Sequence, residues 1–599
     1  MILRGLGFAL LLCIPMATGQ GEEEPSLLPE PGAIAEPIPP FLEGEDPWDL
    51  PDEEMVDRSL LGRKTWSPPG AERLLPPAAI IPETRSFRSV RFSGNHVIRQ
   101  SELAEIAAWA LGEPVGPDGR ARLAEEITRH YISEGFINSG ATVPEPPEGS
   151  DELVVEITEG KLVDVVLDRM ERDPALPQPD ENCLFCILPG RRTLNDSYLI
   201  ARVFGNRDRA LHFPDLQRRL QVLQMNPNIR RLQAELKPGL IAGEARLELA
   251  VEENQPWTFG TEFHNQLPPS VGAEQLDFWM ENRNLTGYSD LLSARYGAFS
   301  GGAENASSAG LDNLRVRYSR PVRWDDTTVE VFHDRQGYVV IEDPFADLDI
   351  NGFSSSLGVG LKRPILRDLR DEVWWNVSLA TKHSETELLG MPFNISPGYV
   401  NGELDLTLLR GGIDWVRRER EKVFSMNAEL VAGLDALGAT ESAAEPDSTF
   451  FLLRANAAWL KRLNDDGHLL SLRGGLQFAD DSLPSPEQWT GGGYGSVRGF
   501  RQNELVRDSG AYANLEYRIP IVEDGKTELH FITFADGAVG ADADGGQRRT
   551  LASLGIGLSG SWRALRGEIH WGLPLTDSDD NDGNLQDHGI HFRLSAATF

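Results

Sequence analysis

Cysteine is almost missing from this chain, which has three in 599 residues. Cys13 lies in an apolar opening segment, and beyond it only Cys183 and Cys186 of "NCLFC" remain. A structural zinc site needs four ligands, and a redox dithiol needs a strand–helix setting that this stretch does not offer. In an oxidising compartment the pair reads as a small disulfide closing a loop. Positive charge is scarce too: 57 Lys and Arg face 92 Asp and Glu, a formal net charge of -35. Nucleic-acid binding requires a basic footprint, so that partner class is excluded. No Gly-x-x-x-x-Gly-Lys-Ser/Thr run is present to cradle a nucleotide. The 11 histidines are scattered without catalytic or metal-ligand spacing. "DSDDNDGN", Asp577 to Asn584, places Gly583 one position late for an EF-hand loop and reads as a solvated loop. The expectation is a protein that is not an enzyme and holds no cofactor and no metal.

Long apolar runs are also lacking. One lies within Met1–Gly19, from Leu6 to Ile14, behind Arg4 and ahead of Ala17-Thr18-Gly19. It is too short to span a bilayer and has the layout of a secretory signal peptide, assigned to residues 1–19. No later stretch reaches the roughly 18 uncharged apolar residues of a membrane helix. A mean hydropathy of -0.31 looks soluble. It does not exclude a membrane barrel, whose strands turn only alternate residues to lipid.

What is present comes in three textures. Residues 20–82 are rich in Pro, Glu and Asp and cannot bury enough apolar surface to fold alone, so they read as an extended linker. Within them "PDEEMVDRSLLGRK", residues 51–64, has Pro first, acids next and bases last, the order of a short amphipathic helix. A solvated coil is the competing reading.

Residues 83–160 form a compact α/β unit. "FRSVRFSG" alternates as a strand and stops at the turn signal Gly94-Asn95. "SELAEIAAWALG" is a helix, with Ser101 as its expected cap and Gly112 as its end. "DGRARLAEEITRHYISEGF" puts Leu123, Ile127 and Tyr131 on one helical face. Strands "INSGATVPE" and "DELVVEITEG" follow. Residues 161–253 repeat this β-α-α-β-β order, with helices over Leu194–Phe204 and Phe213–Leu223. A repeated order is hard to obtain by chance.

From residue 254 to 599 helical periodicity stops. About sixteen alternating runs fill about 345 residues, the spacing of a large antiparallel barrel. In "TELHFITFADG", Leu529, Phe531, Thr533 and Ala535 share one face, and His530, Ile532, Phe534 and Asp536 the other. Trp324, Trp374, Trp375, Trp415, Trp459 and Trp571 gather at strand ends, as an interfacial girdle would. Terminal Phe599 is out of phase with the apolar face Ile590, Phe592, Leu594 and Ala596. A soluble multi-sheet protein is the competing reading; the signal peptide and the missing helices favour the outer membrane.

These residues resemble the TpsB transporters of two-partner secretion, the hemolysin-activator and haemagglutinin-transporter type, within the superfamily that carries POTRA domains. "FSGNHVI", "YISEGFINSGATVPE" and "VVEITEGKL" are similar to the family's first POTRA domain, and "LKPGLIAGEARLELAVEE" to the end of its second. "ENRNLTGYSD" is similar to a segment near the start of its barrel. The most specific match is Val497-Arg498-Gly499-Phe500 within "GGGYGSVRGFRQNEL". His264-Asn265-Gln266-Leu267 departs from the family's Asp-Asn-x-Gly, and Ala538 from the final glycine of its Phe-x-Asp-x-Gly.

The resemblance implies α+β periplasmic POTRA repeats followed by a 16-stranded antiparallel transmembrane β-barrel. It casts the helix at 51–64 as a plug and folds the loop after strand eleven, residues 479–509, back into the barrel. There Arg498 would meet Asp536 on the inner wall, beside Phe534. The implied function is export of one TpsA-like exoprotein, captured by the POTRA domains, across the outer membrane. The protein would be a monomer in contact with outer-membrane lipids. A barrel-assembly factor of the same superfamily is the alternative, and a passive porin or receptor the next.

Overall fold

In the computed structural model the described residues are 84–170, 193–205, 209–299, 312–342, 345, 348–441, 446–523, 527–543, 545–546, 548–578 and 583–597. Residues 1–19, the linker at 20–82 with its helix at 51–64, Cys183, Cys186 and Phe599 lie outside them. The chain divides into two compact units at Asn254/Gln255.

The N-terminal unit holds the two repeats. The first runs β1 (Ser89–Ser93), α1 (Gln100–Ala107), α2 (Pro117–Ser133), β2 (Gly140–Thr142) and β3 (Glu152–Thr158). Its sheet has the order β1-β3-β2, with β1 parallel and β2 antiparallel to β3. Leu123, Ile127 and Tyr131 recur every fourth residue along α2, so all three are buried with Leu103, Leu153 and Val155. Tyr131 donates its hydroxyl to Glu159 Oε1 at 3.2 Å. Burial and the Glu159 charge push that hydroxyl above its usual pKa.

Ser101 does not cap α1. The helix starts at Gln100 after an extended Arg99, and no side chain caps it. Buried Ile98 and Leu103 bracket that start and lie in one core, so an apolar staple fixes the entry in place of a hydroxyl.

The second repeat runs β4 (Lys161–Arg169), α3 (Asp196–Phe204), α4 (Phe213–Gln224), β5 (Ile229–Pro238) and β6 (Glu244–Glu253), with sheet order β4-β6-β5. It is stitched to the first by the Phe213 N–H donating to Gly135 O at 2.9 Å and Asn138 Nδ2 donating to Gly243 O at 2.9 Å.

The second unit is a closed barrel of 16 antiparallel strands. They are β7 (Trp257–His264), β8 (Gln275–Asn282), β9 (Leu291–Phe299), β10 (Asp312–Pro321), β11 (Thr328–Val339) and β12 (Ile350–Arg367). β13 (Asp371–Leu388) is followed by a two-residue piece, β14 (Met391–Pro392), that only extends its tip. Then come β15 (Glu403–Glu419), β16 (Lys422–Gly433), β17 (Phe451–Arg462) and β18 (Leu469–Ala479). A small hairpin, β19 (Trp489–Gly491) with β20 (Leu505–Arg507), packs against the wall without pairing into it. β21 (Ser509–Glu523), β22 (Thr527–Ala541), β23 (Arg549–Trp562), β24 (Leu565–Pro574) and β25 (Ile590–Ala597) complete the ring. β25 closes on β7 from Arg593↔His264 to Ala597↔Gly260.

Alternation decides what the wall shows. Phe278, Leu357, Ile413, Leu472, Leu554 and Ile569 are exposed on the outer face, as lipid contact demands. On β22 the inward set Ile532, Phe534 and Asp536 is buried. Trp374 corrects the expected girdle: it is buried, with Arg367 and Lys362 5.2 and 5.4 Å from its ring. Consecutive strand residues point to opposite faces, so Trp374 and Trp375 cannot both meet lipid.

Candidate functional site

Residues 480–508 join β18, the eleventh barrel strand, to β21, the twelfth. From Leu483 onward they do not reach out into solvent. Val497 and Phe500 are buried in an apolar cluster with Trp489, Leu505, Leu551 and Ala538. Ala538, where the resemblance leads one to expect glycine, fills part of that cluster. Arg498 between them is 1 % exposed and is the largest fully buried side chain among the described residues.

Its guanidinium is held by the inner wall. Nε donates to Asp536 Oδ2 at 2.8 Å and Nη2 to Asp536 Oδ1 at 3.0 Å, a bidentate fork that a lysine cannot make. The Arg498 backbone N–H adds a bond to Asp536 Oδ2 at 3.1 Å. Nη1 donates to Glu516 Oε2 of β21 at 2.6 Å and to His570 Nδ1 of β24 at 3.3 Å. The guanidinium carbon lies 3.6 Å from the Phe534 ring centroid, so that ring forms the floor of the site. With His570 Nδ1 accepting, its Nε2–H faces Glu568 Oε2 at 3.4 Å. Glu568 also accepts from Tyr494 of the loop, and from Arg593 Nε of β25 at 3.1 Å.

Sequence reasoning named Asp536 and missed Glu516, His570 and Glu568. The signal for Glu516 was present: in "GAYANLEYRIP", Asn514, Glu516 and Arg518 alternate with Ala513, Leu515 and Tyr517. The register Glu516↔Phe534 then sets the second acid beside the first.

Glycine makes the approach possible. Gly499 has φ 101°. A Cβ there would lie 2.9 Å from the Gly572 carbonyl carbon of β24. One on Gly572 would lie 2.6 Å from the Arg498 carbonyl carbon. Loop and wall thus meet backbone to backbone, which only glycine on both sides allows. Beyond the tip, Arg501 pairs with Asp587, and its Nη1 donates to Glu342 Oε1 at 2.6 Å. Arg549 Nη2 donates to Glu504 Oε1 at 2.6 Å.

Among the described residues, one other cluster has ligand-like composition. Glu262, His264 and Asp277 offer donor atoms within 4.8 Å of one another on the inner wall. Arg295 already occupies the position of a cation, with Nη2 2.8 Å from Glu262 Oε1 and Nε 2.9 Å from Asp277 Oδ2. His264 Nδ1 accepts the Gln266 N–H at 3.2 Å, so its Nε2 carries the proton toward Asp277. The donors are committed to one another. Next to them Asn265 extends the β7–β25 seam: Nδ2 donates to Ile590 O at 2.9 Å, and Oδ1 accepts the Phe592 N–H at 2.8 Å.

Known proteins share this fold. A POTRA domain model, ShlB-type, matches residues 86–160. Outer membrane transporter CdiB of Dickeya dadantii (strain 3937) is 22% identical over 512 residues, 82% of this chain and 83% of that protein. The solved structure of CdiB from Escherichia coli is similar at a TM-score of 0.63 and 20% identity, covering 90% of this chain and 95% of that one. CdiB from Acinetobacter baumannii is similar at 0.59 and 15% identity, over 86% and 90%. These structural likenesses speak for the fold. The family model for haemolysin secretion/activation protein ShlB/FhaC/HecB matches residues 243–560, more than half of the chain, and the protein belongs to that family.

Proposed function

We propose that this outer-membrane transporter passes one partner exoprotein, unfolded, from the periplasm to the cell surface, and that docking of Arg498 governs the pore. The observation that carries the reading is the arginine fork on Asp536, held with Glu516 inside a closed barrel. A charge buried this deeply is stable only while its partners stay in place. The loop is therefore a part with a defined docked position rather than a slack tether.

The N-terminal repeats supply the capture surface. Their sheets end in β1, β2, β4 and β5, of which β5 offers ten residues of edge. An extended chain can add to such an edge by backbone hydrogen bonds, whatever its sequence. The chain has no nucleotide-binding run. The drive then comes from the partner folding outside. The transporter works as a monomer, its apolar outer stripe in contact with outer-membrane lipids.

The test is Arg498→Ala, read as partner in the medium against heat-modifiable barrel in the membrane fraction. Secretion is expected to fall to background while the barrel still inserts, because strand ladders and the lipid-facing stripe are untouched. Normal secretion by this variant would remove Arg498 from the mechanism.

A further inference from the structure

The tip of the loop is not its only fixed point. Glu487 sits in the Ser485–Glu487 turn on the limb that descends from β18, and it is fully buried. Lys382 Nζ of β13 donates to Glu487 Oε1 at 3.1 Å, and Arg454 Nη2 of β17 to Oε2 at 3.0 Å. The backbone is gripped as well. Lys382 Nζ donates to Pro486 O at 3.2 Å, Arg454 Nη2 to Glu487 O at 3.2 Å, and Gln477 Nε2 of β18 to Glu487 O at 2.9 Å. Arg410 of β15, the strand paired with β13, is a third buried cation. Glu429 of β16 lies 3.8 Å from Arg454 Nη1.

The polarity is the reverse of that at the tip. At Arg498 a loop cation enters an acidic arc of wall formed by β21, β22 and β24. At Glu487 a loop anion enters a basic arc formed by β13, β15 and β17. A loop tied at one point can pivot about it. A loop tied at two arcs cannot, and each arc tests for a different charge.

We propose that Glu487 is a second positioning residue for the loop, latching the descending limb to a basic arc of the lumen independently of the Arg498 latch. The latch is reversible, because water that enters as the limb leaves solvates both the carboxylate and the wall cations. The limb between the two anchors then moves only when both have let go, so a partner in transit has two separate barriers to displace.

The experiment compares single-channel conductance of the full-length protein in planar bilayers with secretion in cells. Glu487→Gln keeps the shape and removes the charge. It is expected to shift the limb toward the undocked state by roughly a hundredfold, seen as more frequent and longer open events. Glu487→Asp retains the charge and should restore most of the closed time. Lys382→Met should reproduce Glu487→Gln, and combining the two should add little, since they break one latch. Combining Glu487→Gln with Arg498→Ala should open the pore further than either change alone. If Glu487→Gln fails to insert as a heat-modifiable barrel, Lys382→Met decides. Wild-type conductance in Glu487→Gln and Lys382→Met overturns the proposal, and so does an effect of Glu487→Asp as large as that of Glu487→Gln. The inference rests on the transport reading only in its secretion arm. Were that reading wrong, the conductance differences would remain.

Discussion

The first repeat and the barrel lumen bury their interiors by opposite chemistry. In the repeat, Leu103, Leu123, Ile127, Leu153 and Val155 meet with no charge among them. In the lumen the largest fully buried side chain among the described residues is an arginine, surrounded by Asp536, Glu516 and His570. Apolar packing is tolerant: any side chain of about the right volume contributes, and its energy follows buried area. A buried ion network is intolerant, because removing one member leaves another charge without compensation. The repeat can therefore be a scaffold, while the lumen can be a switch.

The sharpest way to break this contrast is at Asp536. Asp536→Ala leaves Arg498 with Glu516 as its only carboxylate, at a cost of about 3–5 kcal/mol to loop docking. Secretion should fall as far as in Arg498→Ala, and the double variant should be no worse than either single one, since both break one network. Secretion and heat-modifiability measured on all three decide it. Additive losses would show that the two residues act separately.

Leu123→Ala probes the other side. It should destabilise the first repeat by about 2–5 kcal/mol and lower its melting transition, while the barrel keeps its heat-modifiability. Leu123→Met should cost under about 1.5 kcal/mol, a tolerance that no substitution of Arg498 should match. Circular dichroism melts of the purified protein, read beside gel mobility, separate the two.

The smallest effect is expected at Cys183 and Cys186. A disulfide between them, proposed from sequence, closes a very short loop and stabilises the second repeat by about 2 kcal/mol at most. Alkylation without reductant, followed by mass spectrometry, should leave both unmodified. Labelling of both would show free thiols.

Much of this architecture is legible in the chain because it is written in periodicity. Four-residue spacing of Leu123, Ile127 and Tyr131 needs nothing beyond helix geometry to name a buried face. Two-residue alternation in "TELHFITFADG" likewise separates Asp536 and Phe534 from Leu529 and Phe531. Misreadings came where a local rule met a tertiary one. Ser101 has the chemistry of a cap, but burial of Ile98 and Leu103 decides where the helix begins. Trp374 lies near a strand end like its neighbour, yet parity turns it into the lumen.

By itself, then, the sequence determined the compartment, the two β-α-α-β-β repeats, the sixteen-strand count and the loop on which Arg498 stands. The repeats and the strand count follow from periods shorter than ten residues, the compartment from the opening segment, and the loop from its resemblance to the family signature. Only the tertiary structure decided the partners. Glu516 and Asp536 sit side by side because β21 and β22 pair in one register. Gly572 meets Gly499 across 73 positions of chain, and Lys382 reaches Glu487 across 105. A charge in a lumen is satisfied by whatever the barrel's closure brings opposite it, and closure is a property of all sixteen strands together.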